Sequence, residues 1–560
     1  MTLLKRMAGS EGVSSTTLIL ATAVFVALFS NAGFFADAAR IFGASANSTL
    51  FIGTLFFFIT SIFVLVLSAV GHRKLVKPVL IAFLMISSVL AYFISQYGTV
   101  FDYRMIANVF ETDTAEARDL FSPKLLFYVA TLGIAPSLLV YLVRLKQPDW
   151  KTETIARLKL AGGAAAMLAA IQIGFGGHYA AMMRDHGDLV GKVNPTYALY
   201  SAAKLAVRSA PTAVAHAHEQ FGLDAKTPVG DPQRELVIMV VGETARADHW
   251  SLNGYEHDTN PRLAREDIIN FPDFWSCATS TAMSVPCMFS RLGRAHFDSA
   301  RASGEDNALD LLSRAGVSVL WRDNNSSSKG VADRVAYEDF KTPENNPVCD
   351  EGECRDEGML HGLQGYIDKQ KGDVLIVLHQ MGNHGPAYYK RYPRAFERFT
   401  PACKTNDLGA CSREEIANAY DNAILYTDYF LSKVIELLKR NDAGFETAML
   451  YVADHGESLG EYGVYLHGMP YALAPDAQKH IPAVMWLGSN IKGDFQLDAI
   501  EKRRQQRWSH DNVFATLLGL FEIDSAAYDR RMELIEHNQT ETAGVSTQAP
   551  AGGHAPRGHL

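Results

Sequence analysis

Cys277 and Cys287 bracket a run of small hydroxyl residues, SCATSTAMSVPC over Ser276–Cys287, with Thr281 near its centre. A hydroxyl at the start of a helix sits among free N–H groups at the positive dipole end, which suits a nucleophile that must carry a phosphoryl group. Ser/Thr clusters more often cap helices or close turns, so the chemistry depends on what other segments bring to this hydroxyl. Carboxylates and imidazoles follow directly on apolar runs elsewhere. Glu243 follows ELVIMVVG, Asp454 and His455 follow AMLYVA, His379 and His384 follow DVLIVL, and His467 lies in YLHGMP. One such residue is commonly a cap. Several at separate strand ends, on the edge where a parallel sheet binds ligands, point to a metal site. Oxygen and nitrogen ligands without thiolates suit zinc, and manganese less well. A zinc held by Glu243, Asp454, His455 and the Thr281 oxygen would be four-coordinate and would lower the pKa of the hydroxyl. His384 and His467 would bind phosphoryl oxygens or protonate a leaving group. Lys329, in NNSSSKG, would neutralise phosphate charge.

The elements that position these residues follow from the hydrophobic pattern. Apolar runs of buried-strand length fall at Glu235–Val241, Gly316–Trp321, Asp373–Leu378, Ala448–Val452 and Ile481–Leu487. Helical stretches near Ala308–Ala315, Glu414–Lys439 and Asn512–Phe521 lie between or after them. This alternation predicts a mostly parallel sheet covered on both faces.

The first third of the chain has a different character. Five apolar segments, near Leu18–Phe35, Leu50–Val70, Pro78–Ser95, Lys124–Val143 and Leu160–Tyr179, are each close to the ~20 residues that span a bilayer. Ala36-Asp37-Ala38 resembles a signal-peptide cleavage site, but the apolar core before it exceeds the usual ~7–15 residues, and four more spans follow. The first helix is therefore expected to stay. Basic residues at Lys5 and Arg6, at His72–Lys77 and at Arg144–Lys159 belong on the cytoplasmic side, which places everything after Tyr179 outside the cytoplasm. All six cysteines, Cys277, Cys287, Cys349, Cys354, Cys403 and Cys411, fall in that outer part, as disulfides in an oxidising compartment would. Six cysteines allow fifteen pairings; the short-loop set 277–287, 349–354 and 403–411 is the expectation. The polar loop Gln96–Ser122 faces outward, either as a solvated connection or as a holder of a lipid head group. A net charge of −9 argues against nucleic acid as a partner. The expected domains are a five-helix transmembrane domain at 1–180, bridging helices and linker at 181–232, a catalytic domain at 233–540 and a disordered tail at 541–560.

VVGETARADHWSLNGY, CATSTAMSVPCMFS, WRDNNSSSKG, LHQMGNHGPAY, ADHGESLGE and YLHGMP together resemble the lipid A phosphoethanolamine transferases, a family that includes the mobile colistin-resistance enzymes. The resemblance runs from the membrane spans through about Leu487. It implies an alkaline-phosphatase/sulfatase-like domain behind five transmembrane helices, in the inner membrane of a Gram-negative bacterium, with the catalytic domain in the periplasm. It implies one or more zinc ions per chain. By position in these motifs, Thr281 matches the nucleophile, and Glu243, Asp454 and His455 match the zinc ligands. His384 and His467 match residues that contact the phosphoethanolamine or a further zinc. Lys329 and Asn325 match pocket residues, His379 is grouped with the substrate-binding residues, and Tyr97, Asn108 and Glu116 match lipid-substrate residues in the outward loop.

The implied reaction is ping-pong. Thr281 attacks phosphatidylethanolamine, diacylglycerol leaves, and a lipid A phosphate takes the group from the threonine. The added ammonium lowers the negative charge that draws polymyxin and other cationic peptides. The partners are then phosphatidylethanolamine, lipid A and membrane lipids, and the chain is expected to be monomeric. A related transferase, acting on another glycan or moving phosphoglycerol, is the alternative. A sulfatase needs C/S-x-P-x-R, and here Ser284-Val285-Pro286-Cys287 is followed by Met288. A membrane-tethered zinc-binding scaffold is the non-enzymatic rival, which turnover of a fluorescent phosphatidylethanolamine would exclude.

Overall fold

The computed structural model describes residues 12–43, 46–69, 74–112, 114–208, 218–227 and 233–538. The expected tail at 541–560, most of the linker at 227–232, and Lys5, Arg6, His72 and Arg73 lie outside the described residues.

Among the described residues, four helices are long and apolar enough to cross a membrane: Ser48–Ala69, Val76–Tyr97, Pro123–Leu142 and Trp150–Ala180. The first apolar segment, expected as one helix through Phe35, is instead a pair, Ser15–Ser30 and Ala32–Phe42, bent by 57°. The bend falls at Asn31, and its polar groups explain why it is tolerated. Asn31 Nδ2 donates to the carbonyls of Val26 at 2.9 Å and Asn194 at 2.8 Å, and Asn31 Oδ1 accepts from the Asn194 amide at 2.9 Å. Asn194 in turn donates to Ser30 O at 3.0 Å and Ser87 O at 2.8 Å. Backbone groups freed by the break are thus satisfied inside the protein rather than exposed to lipid.

The polar outward loop is not an irregular connection. It holds the helix Tyr103–Glu111, whose cap Asp102 accepts from the amides of Arg104 at 3.0 Å and Met105 at 2.8 Å, and the short helix Thr114–Asp119.

The second half is built on one eight-stranded sheet. In chain order its strands are β1 (Glu235–Gly242), β2 (Ile268–Trp275), β3 (Ser318–Asp323), β4 (Ala336–Asp339), β5 (Val374–His379), β6 (Glu446–Ala453), β7 (His480–Leu487) and β8 (Trp508–Ser509). In space they run β8-β2-β7-β6-β1-β5-β3-β4. All neighbours pair parallel except β7, which is antiparallel to both β2 and β6. Every residue of β1 and β6 is buried, as continuous apolar strands in a doubly covered sheet must be. The register between β2 and β7 shifts between Ile481 and Ala483, where Pro272 and Pro482 lack the N–H a ladder needs.

The long helix Arg413–Asn441 packs on the sheet and starts with a capping box, Ser412 and Glu415 bonding each other's amides at 3.2 and 2.7 Å. The cysteines pair Cys277–Cys287, Cys349–Cys354 and Cys403–Cys411, and none is free.

The two halves touch. Val100 shares a buried apolar cluster with Val464, Met469 and Ala474. Gly468 comes so close to the helix Tyr103–Glu111 that an added Cβ would sit 2.5 Å from Met105 Cε. Met105 Cε ends a flexible side chain and could yield, so it is the φ of +85° that favours glycine there.

Candidate active site

Thr281 is the first residue of the helix Thr281–Met288, preceded by the extended cap Ser280. The Cys277–Cys287 bond ties the loop between β2 and this helix to the helix's last turn. Thr281 Oγ1 lies 3.1 Å from Glu243 Oε2, 3.3 Å from Glu243 Oε1 and 3.2 Å from His455 Nε2. One turn further on, Ser284 Oγ donates to Asp454 Oδ2 at 3.2 Å. The hydroxyl of the clamped helix and the residues ending β1 and β6 therefore meet at one point, at the carboxyl edge of the sheet.

Each member is held by its neighbours. Asn325 Nδ2 donates to Glu243 Oε2 at 2.7 Å and to Gln380 O at 2.8 Å, so it orients the carboxylate. Glu243 stands next to Thr244, a non-glycine residue at φ +48°, in a turn stitched by the Thr244 amide to Asp454 Oδ1 at 3.1 Å. Backbone strain of this kind persists only where the surroundings over-determine it. Gly382 lies against the same turn: a Cβ there would be 2.8 Å from Glu243 O. His455 Nδ1 donates to Gly456 O at 2.9 Å, so the neutral ring turns the lone pair of Nε2 toward Thr281.

Glu243, Asp454 and His455 are buried, and their ligand atoms lie within 4.8 Å of one another. Two carboxylates, an imidazole and a hydroxyl are a donor set that fits zinc. Burial raises the Asp454 pKa and drives His455 well below the usual histidine range, and a cation between them would favour the ionised carboxylate and the neutral ring.

The pocket above Thr281 is small, about 40 Å³, and is lined by Asn325, Lys329, His384 and His467 from the catalytic domain and by Asn108, Glu111 and Thr112 from the outward loop. His384 and His467 face each other with ring centroids 5.3 Å apart, and His467 is 4.4 Å from the His455 ring. His467 Nδ1 is fixed by Glu457 Oε2 at 2.8 Å, and Glu457 is itself held by Tyr388 Oη at 2.7 Å. Lys329, at φ +51°, places Nζ 3.6 Å from Glu111 Oε2.

Two residues singled out from sequence stand elsewhere. His379 is fully buried below the pocket, Nδ1 donating to Asp323 Oδ2 at 3.0 Å and the ring 5.6 Å from Trp321. Asp323 stays ionised despite burial because His379 and Trp321 bond it. Tyr97 is buried at the domain boundary, its hydroxyl 3.3 Å from both Tyr92 Oη and Asn406 O, and does not line the pocket. Glu116 lies on the helix Thr114–Asp119, and its side chain is outside the described residues.

Thr112, His510 and Asp356 gave no sequence signal, and Glu111 gave only that of a carboxylate in the polar loop 96–122. Glu111 and Thr112 reach it only because the domains dock. His510 accepts from the Cys277 amide through Nδ1 at 3.2 Å and donates through Nε2 to Ala453 O at 2.9 Å; burial lowers its pKa to about 4, and only the neutral ring can do both. Asp356 gathers Asn324 Nδ2 at 2.8 Å and the amides of Met381 at 2.8 Å and Gly382 at 3.1 Å, tying the loop after β5 to that after β3.

Comparison with known proteins places this geometry. Residues 59–210 match the family described as phosphoethanolamine transferase EptA/EptB, and residues 235–523 match the sulfatase family. The chain is 43% identical over 528 residues to phosphatidylethanolamine transferase Mcr-1 of Escherichia coli, covering 92% of this chain and 96% of that protein. It is 35% identical over 551 residues to phosphoethanolamine transferase EptA of Escherichia coli K12, covering 95% and 99%. The solved integral membrane lipooligosaccharide phosphoethanolamine transferase A of Neisseria meningitidis superposes with a TM-score of 0.90 at 34% identity, covering 93% of this chain and 98% of that one. With membrane helices ahead of a sulfatase-like sheet, and with relatives of this identity along almost its whole length, the chain belongs to the lipid A phosphoethanolamine transferase family.

Proposed function

We propose that this protein takes phosphoethanolamine from phosphatidylethanolamine onto Thr281 and passes it to a lipid A phosphate, on the periplasmic face of the inner membrane. The observation that carries the reading is the Thr281 hydroxyl, 3.1 Å from Glu243 and 3.2 Å from His455 at the head of a disulfide-clamped helix. In the first half-reaction Thr281 Oγ1 loses its proton and bonds to phosphorus. The bond from phosphorus to the glycerol oxygen breaks, and that oxygen takes a proton as diacylglycerol leaves. In the second, a phosphate oxygen of the acceptor bonds to the same phosphorus, the bond from phosphorus to Thr281 Oγ1 breaks, and that oxygen recovers its proton.

Glu243, Asp454 and His455, with Thr281, would hold a zinc ion, which when bound lowers the pKa of a hydroxyl and offsets phosphoryl charge. The protein's own side chains do the rest. Asn325 keeps Glu243 in place. His467, locked by Glu457, is set to give the leaving oxygen its proton. Lys329 neutralises phosphate charge, and the carboxylate of Glu111 at the pocket wall suits the ammonium end of the donor. Adding an ammonium to lipid A lowers its attraction for polymyxin and similar cationic peptides.

The reading is supported by the placement of Asn108, Glu111 and Thr112, from the membrane half, over a nucleophile from the other half. Mass spectrometry of lipid A from cells with and without the protein tests it: added phosphoethanolamine is expected only with it. Unmodified lipid A, or modification of another glycan alone, would overturn the acceptor assignment.

A further inference from the structure

Beside the Thr281 pocket lies a second and larger cavity, about 430 Å³. Ala282, Glu111 and Lys329 line both cavities, so the two spaces share a wall at the nucleophile. The lining of the larger one is mixed: Ser290, Ser299, Ser303 and Ser327 stand beside Pro286, Ala302 and Val331. Arg334 and Lys329 share the cavity with the carboxylates of Asp333 and Glu111. Arg334 spends Nε and Nη2 on Asp310, at 2.7 and 2.6 Å, which fixes the guanidinium and leaves Nη1 without a protein partner among the described residues.

We infer that this cavity is the acceptor subsite and takes the phosphorylated sugar head of the acceptor lipid. The assignment rests on the transferase reading above. A ping-pong enzyme must bring its acceptor to the phosphorus already on Thr281, and a pocket of about 40 Å³ is too small to admit a sugar head beside that group. The acceptor head therefore needs an adjoining volume that opens on the same atom. A cavity of this size falls in the range of about 300–1,000 Å³ usual for small-molecule sites. Its lining selects the ligand. A sugar ring suits a mixed wall, its apolar faces lying on Pro286, Ala302 and Val331, whereas hydrocarbon alone would strip the four serines of water. A hexosamine phosphate offers hydroxyls to the serines and an anion to Arg334 and Lys329. Glu111 comes from the outward loop of the membrane half, so the cavity lies against the part of the protein that meets the membrane.

The test uses full-length enzyme in detergent with fluorescent phosphatidylethanolamine and lipid A. Ser303→Trp fills the cavity from a side chain at the exposed end of the helix Ser299–Ser303. Arg334→Gln removes the cation while keeping length. Thermal melting checks that each is folded. For Ser303→Trp, the ratio of transfer rate to the diacylglycerol burst measured without acceptor is expected to fall at least tenfold. For Arg334→Gln, the KM for lipid A is expected to rise at least threefold against the same burst. An unchanged ratio and KM in the folded variants, or burst and transfer falling together, overturns the subsite. If the wild-type enzyme gives no burst, the transferase reading fails and the subsite falls with it. If Ser303→Trp does not fold, Arg334→Gln decides alone.

Discussion

The guanidinium of Arg391 donates through Nε to the backbone carbonyl of His384 at 2.7 Å. The same buried side chain bonds Glu353 Oε2 at 2.8 Å and pairs with Asp119, which belongs to the membrane half. Lys390 also pairs with Asp119, and Asn406 donates to Asp119 O and Phe121 O, both at 2.8 Å. A pocket histidine is thus held by an arginine whose partner sits on the other domain. Asp119→Ala leaves a buried cation short of a partner, an error that typically costs about 3–5 kcal/mol. The expected result is a lower melting temperature and a fall in kcat at unchanged zinc content. Unchanged kcat in the folded variant would show that docking does not position His384.

The bond between Cys277 and Cys287 closes a loop of sequence separation 10 around Thr281. Short disulfide loops contribute about 2–4 kcal/mol. Cys277→Ser with Cys287→Ser should lower stability by this order and reduce transfer more than substitution of the Cys349–Cys354 pair. Peptide mapping of the non-reduced wild type should find neither cysteine alkylatable.

His467 is not among the three residues that cluster as metal ligands. His467→Ala should therefore retain most bound zinc while transfer falls about 10²–10⁴-fold, the usual contribution of general acid catalysis. Loss of zinc in proportion to activity would instead make it a ligand.

His537 lies 3.0 Å from Glu533 and 3.7 Å from Glu522. Burial works against its charge, but the two carboxylates outweigh it and raise its pKa to about 9. An unfolded histidine titrates near about 6.5. The resulting stability is fully present below about pH 6.5 and is lost as pH rises through about 9, at most about 3 kcal/mol. His537→Gln should lower the melting temperature at pH 6 and converge on wild type above about pH 9. An equal loss at both pH values would contradict this linkage.

The clustering of Glu243, Asp454 and His455 was legible because β1 and β6 are unbroken apolar runs and their next residues must emerge at the carboxyl edge of the sheet. The same rule misjudges His379. It too ends a strand, but as the last ladder residue of β5, paired opposite Asp323, it stays in the core. β2 was not legible, because Pro272 in INFPDFW argues against a strand and the shift that accommodates it needs a partner strand. β8 is two residues long and carries no period. Glu111 and Thr112 enter the pocket, and Tyr97 does not, through the docking of two domains, which no local pattern encodes. Asn325 lines the pocket, and its amide N–H groups are spent on Glu243 and the Gln380 carbonyl, a second role that no spacing announces.

The most direct test is intact-protein mass spectrometry of the purified full-length enzyme given phosphatidylethanolamine and no acceptor. A phosphoethanolamine adduct that maps to Thr281, disappears on adding lipid A and is absent from Thr281→Ala is the predicted result. An adduct that still accumulates on Thr281→Ala, or wild-type transfer by that variant, would contradict the assignment of Thr281 as the nucleophile.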